Sequence, residues 1–283
     1  MKLAKALEKT RALADDGDRD AQYWMGYWSE LGEGIPADCA VAARYYRLAA
    51  DQGHLEAQVA LARLLRLGEG TERNDAEAIL YLRLAAHTGY SEAQFILGTC
   101  FANGDGVEHD LAEAIRYYRL AAALDHAKAQ FNLGVFLLEG RGATQDVDEA
   151  VRWFRRAADQ GLVSAQYNLA LAFHRGEGVA ADATEAARYF KLAADQGHVS
   201  AQAYYAQCLG DGDGVAEDQA MSVHYYRLAA DQGHAQAQYN LGVRLETGEG
   251  IAVDRAEAKR YYRLAADQGH AGAIRELAAR FFS

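Results

Sequence analysis

An all-α solenoid of stacked helix pairs is the architecture this sequence predicts, and two landmarks at one fixed period predict it. The dipeptide Ala-Gln recurs at Ala21, Ala57, Ala93, Ala129, Ala165, Ala201 and Ala237, and Ala273 continues the register. A Gly-x-Gly keeps the same 36-residue step at Gly32/Gly34, Gly68/Gly70, Gly104/Gly106, Gly140/Gly142, Gly176/Gly178, Gly212/Gly214 and Gly248/Gly250, with nothing inserted or deleted between copies. Repetition at such a period marks supersecondary units that bury their apolar faces against one another. The usual expectation of one or two globular domains for 283 residues therefore gives way to a single solenoid domain over 1–283.

Seven units span 21–272, and the part units 1–20 and 273–283 are expected to be capping helices, which a solenoid needs to close its ends with solvated faces. Lys2, Lys5, Glu8, Lys9 and Arg11 suit the first for that role. The segment Tyr-Tyr-Arg-Leu-Ala-Ala-Asp-Gln-Gly-His is identical at 45–54, 225–234 and 261–270, as duplication of one unit would leave it.

Each unit divides into two helices. In the first, Ala129, Leu133 and Leu137 lie at i, i+4 and i+8, one stripe of a 3.6-residue period. A small residue follows the Leu register in every unit (Gly26, Ala62, Gly98, Gly134, Ala170, Ala206, Gly242, Ala278), which predicts close helix approach, since Gly inside a helix costs about 1 kcal/mol against Ala.

Gly-x-Gly ends the first helix, and Asp38, Asn74, Asp110, Asp146, Asp182, Asp218 or Asp254 opens the second as N-cap. Glu77, Glu113, Glu149, Glu185 and Glu257 stand three residues after their caps, the spacing of a reciprocal capping box. The second helix carries Ala114, Tyr117, Tyr118 and Ala121 on one face and stops at Gly53, Gly89, Gly161, Gly197, Gly233 or Gly269. Asp125 replaces that glycine in the third unit and must serve as a non-glycine C-cap.

The run Ala-Gln-Tyr-Asn-Leu-Gly at 237–242, the Gly-x-Gly-(Ile/Val)-x-x-Asp loop and the Tyr-Tyr-Arg-Leu-Ala-Ala-x-x-Gly close resemble the Sel1-like repeat (SLR) family, a relative of the tetratricopeptide repeat with longer units. The resemblance implies a right-handed superhelical solenoid with first helices lining a concave groove. It also implies an adaptor or scaffold, often bacterial, that binds a protein or peptide there without catalysis. Some cysteine-rich relatives are linked to penicillin or peptidoglycan binding.

Composition narrows the function. A net charge of -11 and a pI near 5.3 oppose binding to nucleic acid or to an anionic membrane surface. The first twenty residues lack a signal-peptide core and no run of 18 apolar residues follows, so a cytoplasmic protein is expected. Cys39, Cys100 and Cys208 form neither a disulfide framework nor a zinc motif, which sets the chain apart from the cysteine-rich relatives. The peptidoglycan- or β-lactam-interacting reading stands as the alternative, although the sequence has no Ser-x-x-Lys motif. A consensus-like scaffold without an evolved partner is a third.

No cofactor is called for. The Gly-x-Gly copies lack the Gly-Lys-Ser/Thr of a phosphate loop, and His54, His126, His198, His234 and His270 supply one side chain per unit, too few for a metal. His174 and His224 stand alone. Most of the cationic row Arg47, Arg83, Arg119, Arg155, Lys191, Arg227 and Arg263 has an Asp four residues on, as in Arg47 with Asp51, and is expected to pair with it.

Positions four, seven, eight and eleven of the first helices vary between units and are the candidate partner-binding positions. They supply Trp24, Tyr27, Trp28, Asn132, Phe136, Asn168, Tyr204, Asn240 and Arg244. The Trp24, Tyr27 and Trp28 cluster is typical of an interface hot spot, unless the helix over 1–15 folds across it. Asn132, Asn168 and Asn240 share position four, where an amide can donate to and accept from an extended peptide backbone, or serve the helix structurally. Phe281 and Phe282 end the last helix without a second-helix partner, so weak end-to-end self-association is expected there.

Overall fold

A contact made between two repeats recurs 36 residues further along the chain, as in Gln196 to Gln166, Gln232 to Gln202 and Gln268 to Gln238, and this rule builds each layer of the structure. A computed structural model describes residues 2–281, with side chains described over 5–279; among them there are sixteen α-helices and no strand. The expectation attached to Phe281 and Phe282, and that for Lys2, lie outside the described side chains.

The chain divides into two compact units, Met1–Gln145 and Asp146–Ser283. The first holds α1 (Lys2–Asp15), α2 (Arg19–Leu31), α3 (Cys39–Asp51), α4 (Leu55–Leu67), α5 (Asp75–His87), α6 (Ser91–Asn103), α7 (Leu111–Ala123) and α8 (Ala127–Glu139). The second holds α9 (Val147–Asp159), α10 (Val163–Arg175), α11 (Ala183–Asp195), α12 (Val199–Asp211), α13 (Gln219–Asp231), α14 (Ala235–Thr247), α15 (Arg255–Asp267) and α16 (Ala271–Phe281). Within each, every helix packs on the helices before and after it in sequence. No helix of the described residues is long and apolar enough to cross a membrane.

Helix ends follow the sequence closely, with one correction. Gly32, Gly68, Gly104, Gly140, Gly176, Gly212 and Gly248 are left-handed C-caps, and each Asp or Asn cap accepts from backbone N–H groups of its helix. The reciprocal half of the capping box is replaced. The cap's own N–H donates to a carbonyl of the preceding helix, as in Asn74 to Leu65 at 2.9 Å and Asp110 to Phe101 at 3.0 Å. The freed Glu side chains bind arginines: Glu113 takes Arg116, Glu185 takes Arg188, and Glu77 takes Arg47 of the previous repeat.

The second glycine of Gly-x-Gly does more than turn the chain. A Cβ at Gly214 would lie 2.0 Å from the Ala183 carbonyl oxygen, so this loop sits directly on the start of the preceding second helix. Asp125 adopts φ 58°, the one positive φ of a non-glycine among the described residues, and the stack continues past it.

The core is the predicted stripe, Ala129, Leu133 and Leu137, all within 1 % of full burial, together with Ala114, Tyr118 and Ala121 of the second-helix face. The small residue after Leu admits an aromatic ring: a Cβ on Gly26, Gly98 or Gly242 would come within 2.6–2.7 Å of Tyr46, Tyr118 or Tyr262.

A buried polar ladder runs through the repeats. Gln22, Gln58, Gln94, Gln130, Gln166, Gln202 and Gln238 are buried and donate to carbonyls of the preceding second helix at 3.1–3.4 Å. Their side-chain oxygens receive Gln52 at Gln22, Gln196 at Gln166, Gln232 at Gln202 and Gln268 at Gln238, each at 2.8 Å. Burial makes such bonds obligatory, because an unpaired amide loses its hydration without return.

A second relay joins Tyr hydroxyls to Asp carboxylates one repeat back, Tyr81 to Asp51 and Tyr225 to Asp195 at 2.6 Å and Tyr261 to Asp231 at 2.9 Å. This corrects the expected use of the cationic row. Lys191 pairs with Asp195, but Arg47 and Arg227 reach Glu77 and Glu257 of the next repeat, and Arg83 and Arg155 lie over the Phe101 and Phe173 rings. Asp51 and Asp231, four residues after Arg47 and Arg227, accept from tyrosine instead, and His87 stands at that place after Arg83.

Candidate functional site: the wall of first helices

The first helix of a repeat begins at a cap that the core does not supply. His54, His126, His198, His234 and His270 fill it, each accepting an N–H of the new helix at Nδ1 over 3.1–3.3 Å. A helix N-terminus prefers an acceptor there, and a neutral imidazole supplies one. The sequence shows at most one such histidine per unit, too few for a metal, and the structure gives it this capping role.

Four of the five rings stack on an aromatic of the previous first helix. His54 lies on Tyr23, His126 on Phe95, His198 on Tyr167 and His270 on Tyr239, at centroid separations of 4.4–4.7 Å. His126 also meets Glu92 at 2.9 Å, which holds that carboxyl below its ordinary range, while burial lowers the imidazoles of His198 and His234. Tyr90 and Leu162 form no side-chain cap bond.

Of the candidate residues, Trp24 is the most open at 46 % exposure, edge-on to Tyr23 and Tyr27 and tilted against Trp28. Trp28 is half-buried against the core cluster of Ala14, Ala21, Met25 and Tyr45, and Tyr27 against the larger core. The cluster is thus anchored in the core through Trp28 and Tyr27 and leaves Trp24 to solvent.

Asn132, Asn168 and Asn240 are half-buried, each at position four of its own first helix. Asn240 accepts from Gln236 at 2.9 Å, and burial pushes the Tyr226 hydroxyl up. Tyr204 is half-buried, its ring stacked flat on Phe190 at 4.9 Å.

Two candidates belong to the framework. Phe136 is 6 % exposed and packs edge-on to Tyr118 at 5.5 Å, so its placement on the partner-binding wall is corrected. Position eight lies i+7 from the Ala and i+3 from the Leu of the core stripe, and Leu64, Cys100, Ala172 and Cys208 are buried there as well. Arg244, at the same position with 11 % exposure, bonds Gln219, meets Glu249 at 3.6 Å and lies over the Tyr226 ring.

The wall that remains consists of positions three, four, seven and eleven. Position three, the row of Tyr23, Val59, Phe95, Phe131, Tyr167, Ala203 and Tyr239, was absent from the sequence-based set. Its near-uniform aromaticity was the available signal.

The Sel1 repeat family model matches residues 19–54, 55–90, 91–126, 127–162, 163–198, 199–234 and 235–270. The chain belongs to the Sel1 repeat family. Sel1 repeat proteins are in general protein-interaction scaffolds and typically non-catalytic. Each matched copy opens two residues before the Ala-Gln landmark, at the start of a first helix.

Among solved structures, the chain is similar to c5321, a protective antigen of uropathogenic Escherichia coli strains displaying an SLR fold. The likeness is 32 % identity and a TM-score of 0.93, over 98 % of this chain and 60 % of that one. The Sel1 repeat chain thus spans less than two thirds of that relative's length. A Sel1 repeat protein from Oxalobacter formigenes is 29 % identical with a TM-score of 0.74, over 98 % of this chain and 80 % of that one. No curated protein matches.

Proposed function

We propose that this Sel1 repeat protein is a non-enzymatic adaptor that holds an extended peptide or a protein segment against the wall of its first helices. One contrast carries the reading. The framework side chains are spent on each other, through the Gln ladder and the Tyr–Asp relay, whereas the varied wall positions present Trp24, Asn132, Asn168 and Tyr204 at partly open sites. Aromatic anchors with neighbouring amides are the chemistry of peptide recognition. Three unpaired cysteines support work in the reducing cytoplasm.

The test compares partner capture by the wild type, by a Trp24→Ala/Asn168→Ala variant, and by a Leu48→Ala/Leu228→Ala control on exposed second-helix positions. Loss of affinity by about ten-fold or more in the first variant alone is expected. Equal binding by all three contradicts the reading.

A further inference from the structure

His234 is the exception among the histidine caps. The register that holds Tyr23, Phe95, Tyr167 and Tyr239 beneath the other four imidazoles holds Ala203 here. A cavity of about 430 Å³ opens at the same place, lined by Tyr167 of α10, Ala203, Tyr204 and Gln207 of α12, and His234 and Asn240 of α14. Its size falls in the range of about 300–1,000 Å³ typical of ligand sites.

The repeat itself indicates what fits. In four other copies a ring from the chain lies on this histidine face, so the cavity at Ala203 includes the place that an aromatic side chain fills elsewhere in the repeat. Its walls are fixed before any ligand arrives: Tyr204 is stacked on Phe190, and His234 is tied to the N–H of Ala237 at 3.2 Å. Little ordering then opposes binding. Gln207 and Asn240 place amides at the rim, where peptide N–H and C=O groups flanking an inserted residue would meet them.

We propose that this pocket is a specificity site for an aromatic side chain, Tyr or Phe, of an extended peptide, the ring taking the place on His234 that Ala203 leaves open. The inference rests on the adaptor reading and specifies one anchor within it.

The test is an NMR titration of the isotopically labelled full chain with capped Gly-Tyr-Gly, Gly-Phe-Gly and Gly-Ala-Gly. The aromatic peptides should shift the Ala203 methyl and His234 ring resonances saturably and bind about 30-fold tighter than the alanine peptide, the ratio for a hot-spot ring. Ala203→Tyr, which supplies the absent ring from within, should abolish the shift at the His234 ring while keeping or raising the thermal midpoint. His234→Asn, which retains an acceptor at the cap but removes the ring face, should also lose aromatic binding and guards against a folding failure of the first variant. Equal shifts with all three peptides, or undiminished binding in the folded variants, would overturn the proposal. If Ala203→Tyr still captures partner and Trp24→Ala/Asn168→Ala does not, the pocket is wrong and the wall stands; if neither affects capture, the adaptor reading itself fails.

Discussion

Thr88 occupies the register from which Gln52 reaches Gln22, and the side-chain oxygen of Gln58 that it should serve is buried without a partner. Leu124 leaves Gln94 in the same condition. These two oxygens are the unpaired buried side-chain atoms among the described residues, and they fall where the ladder's donor is replaced.

Restoring the donor should therefore stabilise the protein. Thr88→Gln and Leu124→Gln are each expected to add about 1 kcal/mol, the net value of one hydrogen bond to a buried acceptor. Urea unfolding of the single and double variants checks this, and a fall in midpoint for both would refute the ladder as a source of stability.

The glycine–tyrosine contact predicts a coupling. Gly98→Ala places a Cβ 2.7 Å from the Tyr118 ring, and overpacking is expected to cost about 1–3 kcal/mol despite Ala's better helix propensity. Ala62 and Leu82, both buried, occupy the equivalent registers. Gly98→Ala combined with Tyr118→Leu should accordingly lose less than the sum of the single changes, a double-mutant cycle readable by thermal unfolding.

Acid should weaken the first-helix caps. Burial depresses His198 and His234 below their unfolded value near 6.5, and each must keep Nδ1 unprotonated to accept its N–H. A depressed folded pKa contributes stability above pH 6.5 that disappears as pH falls through the lower folded value. The thermal midpoint should drop between pH 7 and pH 5, and His198→Asn with His234→Asn should flatten that dependence.

Thiol accessibility separates the cysteines. Burial pushes Cys208 up to about 11 and raises Cys100, whereas Cys39 is partly exposed. At pH 8 Ellman's reagent should titrate one thiol rapidly and the other two after denaturation, since the thiolate is the reactive form. Three fast thiols would contradict the packing at position eight.

Much of this was legible beforehand for a physical reason: a strict period exposes every residue whose job is local. The caps Asp38 to Asp254, the Gly-x-Gly turns and the Leu stripe were read correctly because helix termini and periodicity need only neighbours in sequence. Phe136 was misassigned although its offset from Ala129 and Leu133 already placed it on the core stripe. The Gln–Gln, Tyr–Asp and Arg–Glu links were missed because their partners lie 30 residues apart, a distance fixed by packing between repeats. The capping-box expectation failed for a more local reason: a carbonyl of the preceding helix, nine residues back, takes the N–H of Asn74 and of Asp110.

Site-specific photo-crosslinking in cells that express the protein tests the central claim most directly. A crosslinker at Trp24 or Tyr204, on the first helices, should trap a discrete partner, and one at Leu48 or Leu228, on the second helices, should trap none. Adducts confined to Leu48 and Leu228 would contradict the account.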